Sequence, residues 1–261
     1  MSKYIIVERL GQCAIVTINN PSSNAWTLES LKALSAAMET LDADSAVRSV
    51  VLTGAGDQYF SAGIDMNLLA KASREQAARI VDAMALAYNS IRQFRGVTVA
   101  ALNGLALGSG LECALACDYI VIERGAKLGM PEAVAGLTPA AGGTKALTDR
   151  VGVPWAKRII LGGELVDADT ALRIGLAEQV VDSGFAKIVA ISLAGKVANQ
   201  SRSAVLAARR LIEVSQQTTL DRQLLLERAA FLELMEGDEQ REGVAALLAQ
   251  RKPAWQDDND D

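Results

Sequence analysis

The sequence predicts an α/β protein made of stacked strand–strand–helix units, followed by a helical C-terminal region. Up to about residue 142, short apolar runs typical of buried strands alternate with longer amphipathic segments. Beyond that point only Gln179–Val181 has the character of a strand, and the other periodic segments have the spacing of helices. Aromatic residues make up only 4% of the chain, which indicates a core of small aliphatic side chains in closely packed elements.

The predicted elements of the first part follow one another as this fold class requires. Residues 4–10 and Cys13–Ile18 are predicted strands, and residues 27–41 form a predicted helix that Thr27 caps. Within that helix Ser30 is expected to face solvent. The later elements are strands at 49–53, Val97–Leu102 and 119–122, a helix at 74–94, and a helix that opens at 108–110 and runs through residue 117.

The second part is expected to be helical apart from one strand. Its predicted helices are residues 154–161, 168–174, 185–198, 203–214, Leu220–Met235 and 239–250. We therefore expect a core region at residues 1–198 and a helical region at 199–261. The acidic run at 257–261 is expected to be a disordered end.

The charge pattern argues against a nucleic-acid binder. The formal net charge is −5, and the Lys and Arg residues are dispersed rather than gathered in a basic stripe. We expect no membrane segment, because no stretch reaches the roughly 18 uncharged apolar residues that a spanning helix needs. The three cysteines do not indicate a disulfide framework, and a reducing cytoplasm is the simplest interpretation.

The chain contains no His, and this restricts its possible chemistry. Ser-His-Asp and Cys-His mechanisms are excluded, as are most zinc sites. Acid–base chemistry must therefore use carboxylates, Lys, Tyr, Cys or backbone groups. Three glycine-containing segments supply candidates.

The first segment, residues 59–66, follows a predicted strand after a turn. Gly63 allows backbone conformations that other residues avoid, so it could turn an amide N–H into a cavity. A surface turn explains the pattern equally well. The second segment, residues 103–112, turns the chain and opens a helix, whose unpaired N–H groups could stabilise a negative oxygen. Close packing of a helix against a sheet would also explain these small residues. Glu112 lies in the first turn of this helix, where it either compensates the helix dipole or is partly buried among apolar neighbours.

The third segment, residues 128–144, places Glu132 between Pro131 and an apolar run, which is a poor setting for a solvated charge. Residues 142–144 are predicted to open another helix and lack the spacing of a phosphate-binding P-loop. Together the three segments supply backbone N–H donors and two carboxylates, a set that suits proton transfer beside a thioester carbonyl.

In order and in register, these segments resemble the enoyl-CoA hydratase/isomerase, or crotonase, family. Residues 61–65 are similar to the family's A-G-x-D loop. Residues 104–112, with Asn103 before them, are similar to its N-G-x-x-x-G-G-G-x-E helix start, and residues 131–132 with 139–144 to its P-E and P-G-A-G-G-T segments. The resemblance covers nearly the whole chain. It implies a crotonase-type spiral of ββα turns and a C-terminal helical region that builds homotrimers, which commonly pair as hexamers.

The resemblance also implies roles for individual residues. The backbone N–H groups of Ile64 and Ser109 would form an oxyanion hole for the thioester oxygen. Glu132 would deliver a proton to C2, and Glu112 would orient and help deprotonate the water that attacks C3. The other residues implied to contact the acyl-CoA are Asn24, Ala25, Trp26, Ala62, Gly63, Asp65, Gly108 and Ala140. No metal or cofactor is implied, since the CoA thioester is the substrate.

Some positions depart from the family pattern. Ser109 stands where the family's G-G-G triplet, residues 108–110 here, has its middle Gly. The replacement retains the backbone N–H and adds a hydroxyl, which is expected to narrow the site. Ala140 replaces a Gly whose amide normally helps to place the water. Leu247 and Gln250 stand where hydratases often carry Phe and Lys near the adenine, which leaves the phosphate contacts open.

The presence of both Glu112 and Glu132 favours hydration of an enoyl-CoA. An isomerase usually needs only one carboxylate, whereas a thioester hydrolase, a carbon–carbon lyase or a hydratase/thioesterase could use the same oxyanion hole. A non-enzymatic acyl-CoA-binding or scaffold protein would be marked by loss of a Glu or by a basic helix, and the sequence has neither. Residues 66–93 are expected to shape the acyl end, without indicating a chain length.

Overall fold

The structure is a computed structural model that describes residues 2–256, so the expected disordered end at 257–261 lies outside the described residues. The chain divides into two compact units, Met1–Ala194 and Gly195–Asp261. The first unit contains both β-sheets, and the second is helical in its described part.

The strands of the first unit form a six-stranded and a four-stranded sheet. In chain order they are β1 (Ile5–Leu10), β2 (Cys13–Ile18), β3 (Ser49–Gly54), β4 (Tyr59–Ser61), β5 (Val97–Leu102), β6 (Leu105–Leu107), β7 (Tyr119–Glu123), β8 (Lys127–Gly129), β9 (Val166–Asp167) and β10 (Gln179–Val181). The larger sheet has the order β1-β2-β3-β5-β7-β10 and the smaller has the order β4-β6-β8-β9. Among the described strands, the β1–β2 and β8–β9 pairs are antiparallel and the others are parallel.

Nine α-helices occur among residues 2–256. They are α1 (Leu28–Ala43), α2 (Arg74–Arg92), α3 (Ser109–Ala114), α4 (Gly143–Leu161), α5 (Ala168–Arg173), α6 (Ala186–Ala198), α7 (Arg202–Ser215), α8 (Leu220–Met235) and α9 (Asp238–Leu248). Three consecutive strand pairs, β3/β4, β5/β6 and β7/β8, each give one strand to each sheet, and α2, α3 and α4 follow them in turn. The predicted stack of ββα units is therefore confirmed, as is the helical C-terminal region.

The sequence did not predict the strands of the smaller sheet. They span only two or three residues each, too few for alternation to reveal them, and they pair with residues far away in the chain. The expectation that the chain turns directly from β5 into a helix is wrong, because Leu105–Leu107 forms β6 between them. This strand carries the chain from the larger sheet to the smaller one before α3 begins.

Two expectations about helices are also wrong. Ser30 is fully buried rather than exposed. Its hydroxyl accepts a hydrogen bond from the N–H of Thr27, and its own N–H donates to the Thr27 hydroxyl. This capping box confirms the predicted cap at Thr27. The helix opening at Ser109 ends at Ala114 instead of residue 117. The chain must re-enter the sheet there, since the N–H of Asp118 bonds the Thr98 carbonyl. A six-residue helix has only a small macrodipole, so its individual N–H groups matter more.

The second unit, taken by itself, has many exposed apolar side chains. Within this chain α7 and α8 contain no buried residue. The larger exposed apolar residues of α8 and α9 are Leu220, Leu224, Leu225, Phe231, Leu232, Met235, Val244, Leu247 and Leu248. Among all described helices, none combines the length and the apolar character needed to cross a bilayer.

Candidate active site

A cavity of about 460 Å³ lies in the first unit, with walls from residues 62–84, 107–112 and 131–140. It brings together eight of the predicted site residues: Ala62, Gly63, Ile64, Gly108, Ser109, Glu112, Glu132 and Ala140. The cavity therefore contains both predicted acids and both predicted N–H donors.

The loop that carries Ile64 is held by a short bridge to Trp26. The N–H of Trp26 bonds the carbonyl of Gly63 at 2.8 Å, and the N–H of Asp65 bonds the carbonyl of Trp26 at 2.9 Å. This pairing omits the N–H of Ile64, which has no acceptor among the described residues. Gly63 has a backbone φ of 92°, a value that residues other than glycine rarely adopt.

The second N–H donor, that of Ser109, lies next to this loop. A side-chain carbon at Gly63 would be 3.4 Å from the Ser109 nitrogen and only 2.7 Å from the Leu107 carbonyl oxygen. Gly108, with a φ of 52°, turns the chain from β6 into α3. Within the described part of the chain, no acceptor bonds the N–H of Ser109. Both unpaired donors therefore border one cavity, as the resemblance implies.

Glu112 is almost completely buried, with 1% of its surface exposed. Its Oε1 accepts hydrogen bonds from the N–H groups of Ala141, at 2.8 Å, and Gly143, at 2.9 Å. A side chain at position 143 would lie 2.7 Å from Cγ of Glu112, so only glycine leaves room for the carboxylate. The other oxygen, Oε2, is buried without a partner among the described residues.

Glu132 lies on the 3₁₀ helix Pro131–Ala135, opposite Gly108. A side-chain carbon at Gly108 would be 3.0 Å from Oε1 of Glu132, and Oε2 has no partner among residues 2–256. Burial raises the pKa of Glu132 from 4.5 to about 6, and the charge of Glu112 adds to the rise. The site thus combines one carboxylate that backbone N–H groups hold with one carboxyl that retains its proton more easily.

Four of the predicted contacts do not line the cavity. The side chain of Asn24 donates to the carbonyls of Ala55 and Tyr59, and that of Trp26 is fully buried. The Asp65 carboxylate accepts from the N–H of Asn67 and caps a 3₁₀ helix. These three residues brace the loop before the cavity. A role along CoA for Asn24, Ala25, Trp26 and Asp65 stays a prediction.

Sequence reasoning missed several residues that shape the site. The hydroxyl of Tyr88 donates to the Ser109 carbonyl at 2.8 Å, and nothing in its helical setting indicated that contact. The amides of Ala141 and Gly143 belong to a segment that the sequence did single out, but their partner was not evident. One wall of the cavity is apolar and consists of Met66, Leu69, Ala77, Ile80, Val81 and Met84. These residues belong to the segment 66–93, whose role in shaping the acyl end stays a prediction.

No group of three or more His, Cys, Asp or Glu side chains in the described residues could hold a metal ion. The arrangement can polarise a carbonyl with two N–H donors and move protons with two carboxyl groups. Both capacities reside in groups of this chain, and their positions suit a carbonyl oxygen between Ile64 and Ser109.

Comparisons with known proteins agree with this geometry. A sequence model of the enoyl-CoA hydratase/isomerase family matches residues 8–258. The chain is 32% identical to a short-chain-enoyl-CoA hydratase of Clostridium acetobutylicum over 95% of both proteins. It is 34% identical to a 2,3-dehydroadipyl-CoA hydratase of Escherichia coli over 95% of this chain and 97% of that protein. The solved structure of Pseudomonas aeruginosa DspI matches with a TM-score of 0.94 and 46% identity, covering 97% of each chain.

Proposed function

The chain belongs to the enoyl-CoA hydratase/isomerase family, and from this membership and the site geometry we propose that it is an enoyl-CoA hydratase. It adds water across the 2,3 double bond of an enoyl-CoA thioester and yields the 3-hydroxyacyl-CoA. The residues assigned to this reaction are Glu112, Glu132 and the backbone N–H groups of Ile64 and Ser109.

The observation that carries this proposal is a pair of unpartnered carboxyl oxygens in one cavity. Oε2 of Glu112 and Oε2 of Glu132 are both buried without a bond to any described residue. Buried polar atoms in folded proteins are nearly always hydrogen-bonded, so each of these two atoms favours a hydrogen-bonding ligand in the cavity. A water molecule held between two carboxyl groups satisfies this requirement, whereas isomerisation usually needs only one acid.

The reaction follows from the positions of these groups. The N–H groups of Ile64 and Ser109 bond the thioester oxygen and stabilise the enolate that develops as water attacks C3. Glu112 takes a proton from the attacking water, and Glu132 gives a proton to C2. The raised pKa of Glu132 favours the protonated form that this step requires. Transfer of the proton from Glu112 to Glu132 then restores the ionised Glu112 and the protonated Glu132, so that the reaction consumes only the enoyl thioester and one water molecule.

The cavity walls favour an uncharged acyl chain. The residues that line the cavity in the described part of the chain include no Lys or Arg. An acyl chain ending in a carboxylate, as in 2,3-dehydroadipyl-CoA, would therefore leave its charge among apolar side chains at a high desolvation cost. We expect unsubstituted 2-enoyl-CoA thioesters to be better substrates than dicarboxylic ones.

The test is turnover of a panel of 2-enoyl-CoA thioesters of different chain lengths. Hydration removes the conjugated double bond, so the ultraviolet absorbance of the enoyl thioester should fall. The wild-type protein should consume at least one thioester of the panel, and Glu112→Gln should lower kcat by ~10²–10⁴-fold. A wild-type protein that binds these thioesters without hydrating any of them would refute the proposal.

The same assay separates the alternatives within the family. A thioester hydrolase or a hydratase/thioesterase releases free CoA, which a thiol reagent detects. An isomerase instead raises the absorbance of a 3-enoyl-CoA as the double bond becomes conjugated. We expect neither signal to approach the rate of hydration.

We also propose a homotrimer, or a hexamer of two trimers, assembled through the exposed apolar surface of α8 and α9. Apolar patches larger than a few hundred Å² are uncommon on monomers, so many large apolar side chains on two helices favour an interface. The division into a core at 1–198 and an oligomerisation region at 199–261 remains part of this proposal. A cytoplasmic location is favoured because Cys13, Cys113 and Cys117 are buried and form no disulfide.

A further inference from the structure

The mechanism above leaves one buried polar atom of the cavity without a role, namely the hydroxyl of Ser109. This residue is 4% exposed and lines the cavity, and its Oγ has no hydrogen-bond partner among the described residues. A serine in a helix often bonds a carbonyl one turn earlier, but this hydroxyl does not. It also bonds neither Glu112 nor Glu132. The Ser109 side chain lies close enough to Tyr88 to act on the pKa of that hydroxyl, but Tyr88 gives its own proton to the Ser109 carbonyl and the Oγ makes no hydrogen bond of ordinary geometry with a described residue. A ligand in the cavity can therefore accept from this hydroxyl.

The position of the hydroxyl indicates which acceptor that is. A side-chain carbon at Gly63 would be 3.4 Å from the nitrogen and 3.5 Å from the Oγ of Ser109. The backbone N–H and the hydroxyl of Ser109 thus lie almost equally close to the loop that supplies the other N–H donor, that of Ile64. The hydroxyl of Tyr88 donates a 2.8 Å hydrogen bond to the Ser109 carbonyl and so fixes the backbone of this residue. Both donors of Ser109 consequently lie on the oxyanion side of the cavity.

We propose that the Ser109 hydroxyl is a third donor to the thioester oxygen, alongside the N–H groups of Ile64 and Ser109. A hydroxyl rotates freely to aim its proton, and a side chain and backbone N–H of one residue can bond the same oxygen. The bond strengthens as the carbonyl becomes an enolate, so it lowers the barrier more than it improves substrate binding. The hydroxyl therefore does more than narrow the site. This inference rests on the proposed function.

The test combines a spectroscopic measurement with kinetics. Butyryl-CoA labelled with ¹³C at the thioester carbonyl cannot be hydrated, so its carbonyl stretching band can be measured by infrared difference spectroscopy in the bound state. Ser109→Ala removes only the hydroxyl, and Ser109→Gly provides a second variant that also lacks it. Ser49→Ala is the matched control, because Ser49 is a buried serine of β3 outside the cavity.

We expect the bound carbonyl band to move to higher frequency in both Ser109 variants and to stay in place in Ser49→Ala. With a 2-enoyl-CoA that the wild type hydrates, kcat of Ser109→Ala should fall by about 10-fold or more while KM changes much less. An unshifted band in folded Ser109 variants would overturn the inference, whatever happens to kcat. The band test needs only thioester binding, so failure of hydration in the wild type would count against the proposed function alone.

Discussion

Replacing Glu132 with Gln should stabilise the folded protein at neutral pH while it removes the proposed hydration. In the folded chain this carboxyl is half-buried, its Oε2 has no partner among the described residues, and Glu112 lies in the same cavity. Ionised Glu132 is therefore less stable in the folded protein than in the unfolded chain. Glu132→Gln retains the shape of the side chain and removes the charge.

The size of the effect follows from the pKa of Glu132. The rise from 4.5 to about 6 corresponds to an upper limit of about 2 kcal/mol, at about 1.4 kcal/mol per pKa unit. Solvent screening of a half-buried group reduces this figure, and we expect a gain of about 1 kcal/mol in the free energy of unfolding. This difference should depend on pH. Below pH 4.5 the carboxyl is protonated in both states and the wild type is not penalised.

Between pH 4.5 and about 6 the folded wild type binds the proton that the unfolded chain has lost. Its stability relative to Glu132→Gln therefore falls with rising pH and reaches its full deficit above about 6. Urea denaturation at fixed protein concentration, at several pH values, measures this difference. The hydration assay on the same samples should show a loss of kcat of ~10²–10⁴-fold.

Glu39→Gln is the matched control, because Glu39 is exposed on α1 and loses a charge in the same way. Its free energy of unfolding should stay within about 0.5 kcal/mol of the wild-type value at every pH. A Glu132→Gln variant that is less stable than the wild type at neutral pH would refute the assigned environment of the carboxyl. A folded variant with wild-type kcat would refute its catalytic role.

Three further predictions concern the rest of the site and the assembly. Gly143→Ala places a carbon 2.7 Å from Cγ of Glu112, so kcat should fall about 10²-fold in the hydration assay; Gly125→Ala, where no atom lies within 4 Å, should retain wild-type activity. Ser109→Pro removes the N–H as well as the hydroxyl, and a folded variant should lose ~10²-fold or more in kcat relative to Ser109→Ala. Equal activity of the two would remove that N–H from the mechanism. Sedimentation velocity should show a trimer or hexamer that Phe231→Glu dissociates, and a stable, active monomer at micromolar concentration would contradict the proposed assembly.

The sequence by itself determined the central part of the fold. Strands β3 and β5 are fully buried and β7 is nearly so. Such strands can be predicted from the sequence because burial on both faces makes most of their side chains apolar in a continuous run. The cap of α1 was predicted in the same local way, from the position of Thr27 before the first apolar residue of the helix. The absence of His and the positions of Gly63, Gly108 and Glu112 restricted the possible chemistry before any contact was known.

The tertiary structure decided the features that depend on residues far apart in the chain. Strands β4, β6 and β8 are too short to have a pattern of their own and exist because they pair with one another. Glu112 is held by amides 29 and 31 residues further along the chain, and Tyr88 bonds a carbonyl 21 residues away. Local periodicity reports which side of an element is buried, but it cannot report which distant polar atom meets another. The unpartnered oxygens of Ser109, Glu112 and Glu132 became evident only when the positions of the possible partners among residues 2–256 were known.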